Sequence, residues 1–349
     1  MAAVAELEQT AFVTGGSGFI GGRLVRRLVQ DGWSVRALAR SEAAAARVES
    51  LGAAAVRGDL EDVAALRAGA QECAVAFHAA AKLGEWGRPE EFERGNVAGT
   101  RNALDACVSA GVKRFVHVGT EAALLAGAPL VQVDERAPLC FDSKSLYSRT
   151  KARAEEAVVS ASVSGFETIV VRPRFVWGAG DTTVLPSLVK AVEKGRFAWI
   201  GGGEHRTSTT HVDNAVEGLL LGARRGVAGN AYFVTDGEPV QFRRFVSDLL
   251  ATQGVEAPTR SLPRPLAGVL ASASETAWRL LPLPGQPPLT RLAFWLSALE
   301  TTIDISKARE QLGYEPVRTI PEGLEELRAA AASRDGAGAA TSAAPATGG

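Results

Sequence analysis

Short apolar runs alternate with segments whose apolar residues recur every three or four positions. The runs cover 11–14, 34–39, 55–58, 73–78, 114–119 and 167–172, and read as strands. The segments between them, 21–31, 43–51, 61–68, 90–110 and 145–163, read as helices. In the first, Leu24, Val25 and Leu28 share a face while Arg23, Arg26 and Arg27 point away. This order predicts an α/β fold: a Rossmann-type, doubly wound parallel sheet with helices on both faces. In such a sheet, ligands bind beyond the carboxyl ends of the strands.

Beyond Pro173 the pattern loosens. A helix over 184–195 leads to Gly201-Gly202-Gly203. A helix over 212–225 and a strand over 231–235 return to the sheet. A helix over 241–253 carries Phe242, Phe245, Val246, Leu249 and Leu250 at helical spacing, and a Pro-rich stretch surrounds an apolar helix over 266–281. The expected organisation is a dinucleotide-binding domain over 8–178, completed by 206–237. A smaller C-terminal substrate-binding domain is expected over 179–205 and 238–330. The tail 331–349, dominated by Ala, Gly, Ser and Thr, is expected to be disordered. The chain shows no internal repeat.

Two motifs give this frame a chemistry. The first strand runs into Thr14-Gly15-Gly16-Ser17-Gly18-Phe19-Ile20-Gly21. Gly15, Gly18 and Gly21 suit a tight turn, close approach of backbone to a pyrophosphate, and close helix–strand packing. The helix N-terminus adds partial positive charge. Roughly 20 residues on, a carboxylate would hold the adenosine ribose of NAD. Here the strand ends Ala39-Arg40-Ser41, which tolerates a 2′-phosphate and offers Arg40 to pair with it. NADP(H) is therefore favoured over NAD(H); the alternative makes Arg40 a solvated strand-end charge. Asp59, in Gly58-Asp59-Leu60, is placed to accept from the adenine amino group, or else caps a helix.

The second motif is Tyr147-Ser148-Arg149-Thr150-Lys151. Tyr147 and Lys151, at i and i+4, share a helix face. A free phenol titrates at about 10, and a nearby ammonium lowers that value, so Tyr147 can exchange a proton with an alcohol or ketone. Lys151 can also hold the nicotinamide ribose. Thr120, at the end of the strand over 114–119, can donate to the substrate oxygen. Asn96 is a candidate to hold a water near Lys151, with helix packing as its alternative role. His211 reads as structural. Arg174 and Arg206 read as anion contacts or surface charges.

Bulk properties narrow the field. Lys plus Arg number 38 against 39 Asp plus Glu, a net charge of -1, which gives no support to nucleic-acid binding. Cys73, Cys107 and Cys140 are widely spaced and form no metal-binding pattern, so no metal is expected. They also fit a reducing cytoplasm. Glu6 and Glu8 lie where a signal peptide would be basic, and no apolar run reaches the about 18 residues of a membrane span.

The motifs together resemble the extended short-chain dehydrogenase/reductase family. The matching pieces are the glycine loop, Gly58-Asp59-Leu60, His78-Ala79-Ala80-Ala81, Asn96 to Asn102, Thr120, Tyr147 to Lys151, Val171-Arg172-Pro173, His211-Val212-Asp213-Asn214 and Asp304-Ile305-Ser306-Lys307-Ala308. Three further stretches point to its 3β-hydroxysteroid dehydrogenase-like branch: Ala81-Lys82-Leu83-Gly84-Glu85-Trp86-Gly87, the segment from Arg172 to Gly178, and Pro288-Leu289-Thr290-Arg291. The resemblance implies catalysis by Thr120, Tyr147 and Lys151. It implies Phe19, Ile20, Leu60 and Ala79 to Ala81 along the cofactor, and Pro173 and Val176 beside the nicotinamide. It also implies a hydrophobic substrate bearing a hydroxyl or ketone, and it leaves homodimer formation open. Leu266, Val269, Leu270, Ala273, Ala277, Leu280 and Leu281, with Trp278, Phe294 and Trp295, would form an apolar lid, dock on a membrane surface, or simply pack. Two other functions compete: a nucleotide-sugar epimerase or dehydratase with bound NAD, and a non-catalytic dinucleotide sensor.

Overall fold

Seven parallel strands form the central sheet of the computed structural model, which describes residues 9–342 apart from Pro282, with side chains as far as Ser333. They are β1 (Thr10–Thr14), β2 (Ser34–Ala39), β3 (Ala54–Arg57), β4 (Val75–His78), β5 (Arg114–Val118), β6 (Glu167–Pro173) and β7 (Asn230–Val234). Their order across the sheet is β3-β2-β1-β4-β5-β6-β7. The chain starts at β1, winds out to β3, then crosses back beside β1 to β4. That reversal opens a crevice at the carboxyl ends of β1 and β4.

The two-residue period of the strands sorts side chains into two cores. Ala11, Val13, Phe77, Val116 and Val171 join one layer, with Leu24, Leu28 and Val216. Phe12, Ala76, Phe115 and Val170 join the other, with Leu66, Leu104 and Val158. The first layer lies under α1 (Phe19–Gln30), α2 (Glu42–Glu49) and the later helix Val212–Arg225. The second lies under α3 (Val63–Ala70), α4 (Gly99–Ser109) and α5 (Leu146–Ser160). The helix expected over 90–110 is broken: a turn at Pro89–Phe92 and a π-helical segment at Glu93–Ala98 precede α4. Such π segments often mark functional sites.

The rest of the chain packs over the carboxyl edge. It contains α6 (Val184–Glu193), α8 (Phe242–Ala251), α9 (Arg264–Leu280) and α10 (Arg291–Ala298), while α7 (Val212–Arg225) is the later helix that covers the first layer. A four-stranded sheet, ordered Val240–Gln241, Arg206–Thr207, Thr301–Ile303 and Leu130–Val133, sews this region to the loop between β5 and α5. The pattern did not predict Leu130–Val133, whose partner strand lies far along the chain. Ile303, Ile305, Leu312 and Tyr314 return to the core beneath the central sheet.

Two helices of the C-terminal half complete this picture. The final helix, Ile320–Ser342, extends through most of the tail expected to be disordered; 343–349 lie outside the described residues. Buried Leu324 and Leu327 anchor its start, and alanine-rich sequence propagates a helix once it is nucleated. The apolar stripe of α9 does not close over the site as a lid. Its buried residues are Ala267, Ala271 and Glu275, whereas Leu266, Val269, Leu270 and Leu280 are exposed. No helix among the described residues is long and apolar enough to cross a membrane.

Candidate active site

The glycine loop lies at the crevice. Gly15 has φ +72°, and a Cβ there would sit 2.6 Å from the Ala80 amide nitrogen. A Cβ on Gly21 would collide with the Gly15 carbonyl. Backbone of β1 and of the Ala79–Ala80 segment thus meet with no room for side chains. Ala79 and Ala80 are tied down through Ala79 N–H to the Thr14 carbonyl at 3.1 Å and Ala80 N–H to Thr14 Oγ1 at 3.4 Å. The N-cap of α1 is Gly18, with no side-chain cap and no acidic residue in the first turn. Its leading N–H groups therefore remain available, as an anionic pyrophosphate requires. Phe19 and Ile20, partly buried, form that first turn. The loop fits the phosphates of a dinucleotide.

At the adenine end, Arg40 directly follows β2 and is exposed, with no ion pair among the described residues. Across the ladder Ala39 pairs with Arg57, whose guanidinium is held by Glu42 at 2.9 Å. Asp59 Oδ1 accepts the Glu61 N–H at 2.8 Å, while Asp62 is the cap of α3. Asp59 is thus not the helix cap, and it is exposed. The Leu60 carbonyl accepts from Asn102 Nδ2 at 2.8 Å, which fixes the turn against α4.

Tyr147 and Lys151 lie on the first two turns of α5, capped by Ser145. Lys151 is buried, and its Nζ donates to the Val118 carbonyl at 2.7 Å and to His117 Nε2 at 3.1 Å. Burial lowers its pKa to about 8, and Glu155 partly offsets this. His117 stacks on His78, whose ring bridges Thr14 Oγ1 at 2.7 Å and Thr100 Oγ1 at 3.0 Å. Burial, reinforced by Lys151, lowers His78 to about 3 and His117 well below its ordinary value, so both rings are neutral. Below them Glu155 accepts from Arg172 Nε at 2.8 Å in a buried ion pair. Burial raises the Tyr147 phenol above its ordinary value; the charge of Glu121 adds to the rise and a Thr120 hydrogen bond opposes it.

Thr120 follows β5 and caps the turn Glu121–Leu124. Its hydroxyl donates to Glu121 Oε2 at 2.8 Å and accepts from the Ala122 N–H at 3.1 Å. Glu121 is buried, and Arg174 Nη1 lies 3.2 Å from its other oxygen. Arg174 is therefore not a surface charge. Pro173 ends β6, Phe175 turns back with φ +44°, and Val176 begins a two-residue strand paired with Thr210–His211. Asn96, in the π segment, accepts from the Lys82 N–H at 2.7 Å and donates to Thr150 Oγ1 at 3.0 Å, linking the loop after β4 to α5. His211 is wholly buried against Trp177 and caps α7, in accord with a structural role. Thr290 Oγ1 donates to Glu85 Oε2 at 2.7 Å, and Arg279 lies 5.5 Å from the Trp86 ring, so α9 and α10 meet the 81–87 loop.

Three residues around Lys151 and Tyr147 escaped the motif reading: His117, Glu121 and Glu155, the partner of Arg172. The available signal was a polar residue inside an apolar strand, as in Phe115-Val116-His117-Val118, or one helical turn beyond Lys151.

Comparison with known proteins agrees with this architecture. Residues 12–264 match the 3-beta hydroxysteroid dehydrogenase/isomerase family. The chain is 47% identical over 326 residues to a 4-hydroxy-2-methyl-3-oxo-4-farnesyl-3,4-dihydroquinoline-1-oxide ketoreductase of Stigmatella aurantiaca, spanning 93% of this chain and 98% of that protein. It is 35% identical to a 2-alkyl-3-oxoalkanoate reductase of Stenotrophomonas maltophilia, spanning 92% and 99%. A dTDP-glucose 4,6-dehydratase from Streptomyces venezuelae superposes with a TM-score of 0.73 over 93% of this chain and 98% of its own, at 22% identity, a likeness of fold. The chain therefore belongs to the 3-beta hydroxysteroid dehydrogenase/isomerase family, a branch of the extended short-chain dehydrogenases, and is an oxidoreductase.

Proposed function

We propose that this protein is an NADP(H)-dependent ketoreductase for a hydrophobic substrate, with Tyr147 as proton donor, Lys151 as its electrostatic partner and Thr120 as the group that orients the carbonyl. Membership of the family makes it an oxidoreductase that interconverts a hydroxyl and a ketone with a nicotinamide dinucleotide. The observation that carries the finer reading is the placement of Tyr147 and Lys151 on one face of α5, beside Thr120 at the end of β5.

When bound, the nicotinamide would supply the hydride. Tyr147 supplies the proton to the ketone oxygen, so the carbonyl gains one hydride and one proton and becomes an alcohol. Burial and Glu121 hold the phenol protonated, so the proton is in place before transfer, although both also oppose its release. The Lys151 ammonium, pinned by the Val118 carbonyl, stabilises the phenolate as the proton leaves. Thr120 orients the oxygen once its hydroxyl turns from Glu121. Asn96 holds the loop after β4 against α5 and so supports the placement of Lys151. Along the cofactor we assign Gly15, Gly18, Phe19, Ile20 and Gly21 to the pyrophosphate, Asp59 and Leu60 to the adenine, Ala79, Ala80 and Ala81 to the face of the dinucleotide, and Pro173 and Val176 to the nicotinamide. Arg40, exposed and without an ion-pair partner among the described residues, supports a 2′-phosphate contact.

The substrates for which the two relatives are named support an apolar ketone. The exposed stripe on α9, with Arg264 and Arg279 at its ends and buried Glu275 as its intervening charge, supports contact with a lipid surface that dissolves such a substrate. Cys73, Cys107 and Cys140 are free thiols, which supports a reducing compartment, the cytoplasm.

Titration of the purified protein with NADPH and NADH, followed by turnover of a long-chain 3-oxo ester, tests the reading. NADPH should bind at least about tenfold more tightly, and Arg40→Ala should abolish most of that preference. Tyr147→Phe should bind cofactor normally and lose at least about a hundredfold in turnover. Tight NAD binding without reduction would instead favour the epimerase or dehydratase reading.

A further inference from the structure

Two opposite charges are buried beneath the reacting position, where an apolar substrate site has no general need of them. Glu121 is 3% exposed and Arg174 is 2% exposed. The glutamate is one hydrogen bond from the Thr120 hydroxyl, at 2.8 Å, and one ion pair from Arg174, at 3.2 Å. Arg174 also reaches Thr207 Oγ1 at 3.3 Å and the Leu296 carbonyl at 3.4 Å, so it stands between the central sheet and the substrate side. Its Nε has no hydrogen-bond partner. Burying such a pair is unfavourable unless it replaces something worse or selects among ligands.

The relatives divide on this point by name. An oxoalkanoate carries a carboxylate one carbon from the ketone, whereas the farnesyl dihydroquinoline oxide names none. With a ketone oxygen on Tyr147 and Thr120, a carboxylate one carbon away falls about 5 Å from Thr120, on which Arg174 bears through Glu121. Arg174 alone would be its receptor. Glu121 already occupies that guanidinium and adds an anion beside the carbonyl.

On the reductase reading above, we propose that Glu121 is a specificity-determining residue that restricts the site to neutral ketones and excludes 3-oxo acids, by neutralising Arg174 and opposing a second carboxylate. Two carboxylates this close in a dry site cannot both remain ionised. Glu121 lies one hydrogen bond from the Thr120 hydroxyl, and its charge raises the Tyr147 phenol in keeping with that place.

A matched pair, a long-chain 3-oxo methyl ester and its free acid, tests this with NADPH. The wild-type protein should favour the ester by at least about a hundredfold in kcat/KM. Glu121→Gln keeps the shape and frees Arg174, so the ester-to-acid ratio should fall at least about tenfold, mainly through KM for the acid. A merely structural role for Glu121 would depress both substrates alike and leave the ratio unchanged, which would overturn the proposal, as would wild-type turnover of the acid equal to that of the ester. A measurement on the wild-type protein needs no variant: the thermal shift of the NADPH-loaded protein with a long-chain alcohol against the same-length carboxylate. The alcohol should stabilise and the carboxylate should not; equal stabilisation refutes the charge preference. If neither ester nor acid is reduced, the reductase reading fails, while this shift still decides the preference.

Discussion

Replacing Lys151 by methionine removes one charge with little change in volume. The side chain is 3% exposed, its Nζ lies 2.7 Å from the Val118 carbonyl, and its pKa of about 8 leaves it mostly protonated at neutral pH. Neighbours at i and i+4 have Cβ atoms about 5–6 Å apart, and unit charges at that range attract by about 3 kcal/mol at an effective dielectric of 20. That corresponds to about two pKa units on the developing phenolate, or roughly a hundredfold in rate. Lys151→Met should therefore lower kcat by about a hundredfold under single-turnover conditions. In the alcohol-oxidation direction, where Tyr147 must act as the base, it should also move the ascending limb of the pH profile up by about two units. The substitution leaves the Val118 carbonyl and His117 Nε2 without a donor, at about 1–3 kcal/mol, so chemical denaturation must accompany the kinetics. The sign of a third readout is fixed by linkage. Because the folded-state pKa of about 8 lies below the ordinary lysine value of 10.5, the folded protein binds fewer protons between them. Wild-type stability should therefore rise relative to the variant as pH increases across that window. A variant that keeps its rate within about threefold and its pH profile unchanged would show that Lys151 does not act on Tyr147 through its charge.

Gly15→Ala would force φ +72° on a residue with a Cβ 2.6 Å from the Ala80 amide nitrogen, so it should lower the melting temperature and weaken cofactor binding by at least about tenfold; calorimetric binding equal to wild type would contradict the tight apposition. His78, lowered to about 3 by burial, binds no proton in the folded state as pH falls from 6.5, whereas the unfolded chain does. Stability should decline over that range, by at most roughly 5 kcal/mol from this group, and imidazole resonances of His78 titrating near 6.5 in the folded protein would rule this out. Val269→Asp, placed in the exposed stripe of α9 at 65% exposure, should reduce co-sedimentation with anionic phosphatidylglycerol vesicles while leaving solution turnover intact; unchanged sedimentation would argue against a lipid-facing stripe.

The alternation of apolar periods determined the doubly wound sheet, because strand and helix spacing are local properties that a buried parallel sheet imposes on every element. The glycine loop and the Tyr147–Lys151 spacing were legible for the same reason: a tight turn and a shared helix face each span a few residues. Tertiary structure decided what depends on distant partners. Leu130–Val133 is a strand because Thr301–Ile303 lies beside it, and the tail helix extends from the packed turns around Leu324 and Leu327. The outward turn of the α9 stripe could not be read from its period, since a helical stripe shows that a face exists and not which way it points. Arg174 is the sharpest case: from sequence it read as an anion contact or a surface charge, and its meaning depends on the fold bringing Glu121 against it from the other side of α5 in the chain. Charges are read correctly only once their burial and partners are known, because both change the energy of the same group by more than its identity reveals.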